Sequence, residues 1–168
     1  MTELDQVWDQ MLAAATEKAD GSGRTDVGEY LRLRATNDAI RERGTEWLFE
    51  TMVEIATPAM GQTNSLSVES EAPHDFARGA SNMVGSRLTF RQGVRCLSVE
   101  AGWARTPSDG IMRNGALAIA RILHFGMSRL DAEFRLVRGE TLPNWIDEDR
   151  LIVDSQSLRR HFDLFLGH

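Results

Sequence analysis

Apolar residues recur first at helical spacing and then at strand spacing along the chain. In TELDQVWDQMLAAATEKA, Leu4, Val7, Trp8, Met11, Leu12 and Ala15 fall at i, i+3, i+4 and i+7, the stripe of an amphipathic helix. Thr2, with Asp5 three residues on, has the spacing of a weak capping box, and the glycines of DGSGRTD end the helix. A second helical region starts near Asp26, where Asp26 and Glu29 repeat the capping-box spacing, and runs to Ala56. Gly44-Thr45 divides it. Either one long helix tolerates the glycine, or Gly44 ends one helix and Thr45 caps the next. Trp47, Leu48, Met52, Val53, Ile55 and Ala56 are core candidates, and Thr57-Pro58 closes the region because the residue before proline is pushed away from helix.

From Asn64 the period becomes two. In NSLSVES, Leu66 and Val68 alternate with Ser67 and Glu69. MVGSRLTFRQGVRCLSVEAGW is the clearest unit. A two-residue turn at Gln92-Gly93 pairs Arg91 with Val94, Leu88 with Leu97 and Val84 with Ala101. One face then holds Val84, Leu88, Phe90, Leu97, Val99 and Ala101, and the other Arg87, Thr89, Arg91, Cys96, Ser98 and Glu100. ALAIARILHFG on its own reads as helix or strand. The alternation in SRLDAEFRLVR favours a second hairpin, turning at Gly126-Met127, with Ile119 opposite Phe134 and Leu117 opposite Leu136. TLPNWIDEDR has loop composition, LIVD is a candidate edge strand, and Asp154 or Ser155 caps a last helix with Leu158, Phe162 and Phe165 on one face.

The pattern predicts an α+β fold over residues 1–168 as a single globular domain. Two or three N-terminal helices precede a mainly antiparallel meander of about five strands, and a C-terminal helix closes it, with the helices on one sheet face.

Composition narrows the function classes. With 42% apolar and 26% charged residues the chain is of the soluble globular type, and it lacks the apolar run of roughly 18 residues that a membrane span needs. The acidic start lacks the character of a secretion signal, and Cys96, the lone cysteine, forms no intrachain disulfide, so a cytoplasmic location is the economical reading. A net charge of −6 argues against broad nucleic-acid binding. Lys18 is the only lysine among 19 basic residues; arginine suits carboxylate and phosphate contacts, although biased codon usage gives the same result.

Chemical motifs are sparse. GSGRTDVGEYL resembles a phosphate loop in its glycines, but a helix rather than a strand precedes it and the Gly-Lys-Ser/Thr ending is missing. As a calcium loop from Asp20 it places Arg24 and Leu31 at ligand positions. His74, His124, His161 and His168 form no metal-binding spacing, GxSxG is absent and Ser108 has no identifiable histidine base. Neither a catalytic set, a metal site nor a cofactor is expected, and the balance leans against an enzyme.

Two features stand out. The polar sheet face gathers opposite charges, with Arg87 diagonal to Glu100 and Glu69, Asp131, Glu133 and Arg135 on the same side; His124 joins it, facing Arg129. This face reads as solvated, or as a ligand platform or self-association surface. Arg121 falls in phase with the apolar Leu117, Ile119 and Leu123. A buried guanidinium needs a carboxylate, with Glu46, Glu50 or Glu54 on the covering helix as candidates, unless it lines a pocket. The loop after Trp103 carries Arg105, Ser108, Asp109 and Arg113 as candidate lip residues of such a pocket. The leading expectation is a non-enzymatic binding or interaction module that self-associates as a homo-oligomer. The alternative is a binding protein or enzyme for a small anionic ligand anchored by Arg121 between helix and sheet.

Overall fold

The computed structural model describes residues 3–21, 23–62, 65–110, 112 and 114–168. Thr2, Asn64 and Arg113 lie outside this set, as do the side chains of Leu4, Asp5 and Trp8, on which part of the first-helix reading rests. The fold is α+β. In chain order it comprises α1 (Glu3–Gly21), α2 (Thr25–Gln62), β1 (Leu66–Arg78), β2 (Ser81–Gln92), β3 (Arg95–Trp103), β4 (Ala118–His124), β5 (Ala132–Val137), β6 (Asn144–Ile146) and α3 (Ser155–Leu166). The strands form one antiparallel meander in sequence order. By contact density, residues 1–40 and 41–168 are two compact units. No helix is long and apolar enough to cross a membrane among the described residues.

In the first unit, Asp20 near the end of α1 pairs with Arg32 of α2. Gly28 sits where a Cβ would strike the Asp20 carboxylate, 2.2 Å from Oδ1.

In the second unit, α2 continues through both predicted breaks. At Gly44 a Cβ would lie 2.7 Å from both Leu136 methyls, and the Gly44 carbonyl accepts a 2.8 Å hydrogen bond from Trp145 Nε1. The glycine is therefore a packing contact and not a helix end. Pro58 lies inside the last turns, and the helix runs on to Gln62. Leu48, Met52, Ile55 and Ala56 of α2, with Leu158, Phe162 and Phe165 of α3, are buried together with the sheet residues Leu88, Phe90, Leu97, Val99, Ile122, Phe134 and Leu136. Phe90 meets Phe162 edge-on, so α3 and the second half of α2 cover the same sheet face. Asp154 caps α3, accepting from Ser157 N, and the left-handed Gly167 closes it. Arg95 donates to the carbonyls of Phe165 and Leu166 at the C-terminus of α3.

Three register findings correct the sequence reading. The β2–β3 turn is Gly93-Val94, with Gly93 at φ 58°, so Arg91 pairs with Cys96 and Leu88 with Val99. This moves the pairing by two positions and leaves both faces as sorted. Residues 118–124 are strand, but β4 and β5 are joined by a longer loop containing a 3-10 turn at Ser128–Leu130. Ala118 pairs with Leu136 and Ala120 with Phe134, an odd shift that reverses the faces of β4. In the tail, Asn144–Ile146 forms β6 where a loop was expected, because Trp145 buries its ring and finds a partner for its N–H; Ile152 contributes a single bridge to Ile146.

Candidate functional site

The reversed register takes Arg121 off the helix-covered face. On the opposite face Glu71, Arg87, Glu100, Arg121 and Glu133 are successive partners across β1 to β5. This is one transverse row of alternating charge. Arg87 lies directly opposite Glu100, not diagonal to it, and donates to Glu71 at 2.6 Å.

The middle of the row is not solvated. A bulge between Glu71 and His74 bends β1, and bulges increase local twist. Beyond it the β1–β2 hairpin crosses back over the sheet, allowed by Gly85 opposite Gly102: a Cβ on Gly85 would lie 1.8 Å from the Ala101 carbonyl oxygen. Phe76 and Met83 of the hairpin then pack against Ile119 and Ala116, forming a second small core on the charged face. Arg78, at the end of β1, reaches Glu133 on β5 with Nε at 2.9 Å from both carboxylate oxygens and Nη2 at 2.6 Å from one. That pairing raises the Arg78 pKa above its ordinary value.

Glu100 lies beneath this cover and is 3% exposed. Its Oε1 accepts from Arg121 Nε at 2.8 Å and also from Nη2, while Oε2 accepts from His74 Nε2 at 2.7 Å. His74 is buried, stacks on Phe76 with ring centroids 5.8 Å apart, and has Nδ1 3.6 Å from Glu71. The Arg121 guanidinium sits over the Phe76 ring at 4.9 Å. Both oxygens of a desolvated carboxylate are thus occupied, as burial of a charge requires. Glu46, Glu50 and Glu54 are exposed on α2 and are not the partners of Arg121.

His124 also changes face. It is buried toward α3, with Nε2 3.1 Å from His161 Nδ1, and Asp131 accepts from its backbone N–H at 2.7 Å. Burial lowers the His124 pKa; burial and then the neighbouring His124 lower that of His161 to about 4. His124 Nδ1 has no hydrogen-bond partner among the described residues, which fits a neutral ring with its proton on Nε2.

The loop after Trp103 bonds mainly to itself. Asp109 accepts from Thr106 N at 3.0 Å and Thr106 Oγ1 at 2.9 Å, Ser108 meets Thr106 Oγ1 at 2.5 Å, and Arg105 stacks over Trp103 at 4.3 Å. These are the bonds of a 3-10 connector, and the structure does not bring them to Arg121. Asp109 also lines a hollow of about 450 Å³ with Asp75 and Asn82.

Beside the Arg78–Glu133 pair lies a cavity of about 380 Å³, with Ile119 and Met112 as its apolar lining and Arg135, Glu148 and Asn114 as the other polar groups. Among the described residues no group of three or more His, Cys, Asp or Glu is placed to hold a metal ion. The sequence reading missed His74, Phe76 and Arg78. Their alternation before Gly79, which turns at φ 59°, was the available signal for a longer β1. No protein-family model matches the chain, and no curated protein or solved structure shows significant similarity to it.

Proposed function

We propose that this chain is an interaction module that associates with a second copy of itself through its N-terminal unit. The observation that carries this reading is a pair of helices without a core. Among the described side chains of residues 7–40, Ala19 is the only buried apolar one. Val7 and Met11 are 55% and 61% exposed, and Tyr30 and Leu33 are 62% and 54% exposed. Each pair shares a helix face by its spacing. Most helical stability in proteins comes from packing of the apolar stripe, so an uncovered stripe calls for a partner surface. A second copy supplies a matching cover, since both helices expose an apolar pair.

The reading assigns no reaction. Arg121 gives its guanidinium edge to Glu100, so an anion-binding role draws no support from that residue. A cytoplasmic location agrees with the free, half-buried Cys96. Sedimentation velocity across the micromolar range tests the proposal. A dimer is expected, and Val7→Glu with Leu33→Glu converts it to monomer without changing the circular dichroism of the sheet. A wild-type monomer at every concentration overturns it.

A further inference from the structure

We infer that the cavity beside β5 binds a small zwitterion of amino-acid type, a molecule carrying both a carboxylate and an ammonium group. Four charged side chains line this space, but two of them are spent on each other: the Arg78 guanidinium and the Glu133 carboxylate share three hydrogen bonds. The side chains of Arg135 and Glu148 have no ion-pair or hydrogen-bond partner among the described residues. The cavity therefore presents one uncommitted guanidinium and one uncommitted carboxylate. Their complement is an anion and a cation on one molecule. A guanidinium takes a carboxylate through parallel N–H donors, and a carboxylate takes an ammonium through charge-assisted hydrogen bonds.

The setting supports this assignment. Arg135 is half-buried on β5, paired with Ile119 of β4 on one side and Ile146 of β6 on the other, so its backbone is fixed, while Glu148 stands exposed at the mouth. Ile119 and Met112 supply apolar surface for a hydrocarbon portion, and the Asn114 amide supplies both a donor and an acceptor. The volume, about 380 Å³, falls within the range of roughly 300–1,000 Å³ usual for small-molecule sites. The Arg78–Glu133 clamp ties the β1–β2 hairpin to β5 and holds that side of the site in place. Self-association has no part in this inference, since every group named belongs to the second unit.

Saturation-transfer NMR on the full chain tests it, with an equimolar mixture of the standard amino acids as probe and propionate and propylamine as single-charge controls. At least one amino acid is expected to bind at millimolar concentration or tighter, and more tightly than either control. Arg135→Gln and Glu148→Gln are each expected to weaken binding about tenfold or more, with the urea midpoint unchanged. Glu148→Gln should also bring propionate level with the zwitterion. Absence of amino-acid binding, propionate binding as tightly as the zwitterion to the wild type, or binding indifferent to both substitutions overturns the inference.

Discussion

Arg121 Nε donates to Glu100 Oε1 at 2.8 Å across neighbouring strands, under the cover of the β1–β2 hairpin. Removing one partner of such a pair leaves a desolvated charge uncompensated. Glu100→Leu is therefore expected to cost about 3–5 kcal/mol, since it strands both Arg121 and His74. Adding Arg121→Met should recover part of that loss, because an apolar pair is a tolerated replacement for a buried ionic one. Urea denaturation of the two variants measures both terms; a single-mutant loss below about 1 kcal/mol would mean that the site is wet.

The histidine pair predicts an acid limb of stability. An unfolded histidine takes up its proton near pH 6.5, whereas His161 in the fold resists until about pH 4. Between these values the unfolded chain binds more protons, so stability falls as the pH drops. The loss attributable to His161 is on the order of 3 kcal/mol across the window. His124 shifts in the same direction and adds to it. Urea midpoints measured from pH 7 to pH 4 should show this slope, and His161→Phe should flatten it.

Gly44 and Gly61 lie in the same helix and predict opposite outcomes. Gly44→Val drives a side chain into Leu136, which is fully buried and has no room to swing, and overpacking of this kind costs about 1–3 kcal/mol. Gly61 has nothing within 4 Å of a built Cβ, so Gly61→Ala should be neutral or stabilising by up to about 1 kcal/mol. Thermal unfolding of both variants checks the contrast.

Arg95 completes the C-terminus of α3, where backbone carbonyls and the helix dipole favour a cation. Arg95→Met should destabilise by about 0.3–1 kcal/mol, with the difference shrinking at high salt. Faster amide exchange in the last turn of α3 would mark the frayed end.

Much of the architecture was legible because local chemistry specifies it. The stripe of Leu158, Phe162 and Phe165 behind the capping Asp154 marked α3 and its start. The alternation through β2 and β3 placed every side chain on its observed face even though the turn moved, because a slip of two positions preserves the side-chain period. Cavities and buried networks were not legible, since they form between segments far apart in sequence. Arg78 and Glu133 are 55 residues apart.

The sequence by itself determined the change from helical to strand periodicity, the mainly antiparallel meander and the capped helix that closes the chain, all set by neighbours within a few residues. Tertiary structure alone decided which way β4 faces. There the loop length, through the 3-10 turn at Ser128–Leu130, shifts the register by an odd number and turns Arg121 from a supposed core charge under α2 into the partner of Glu100. A one-residue difference in a loop carries no hydrophobic signal, yet it reverses a strand, because successive strand side chains point to opposite faces.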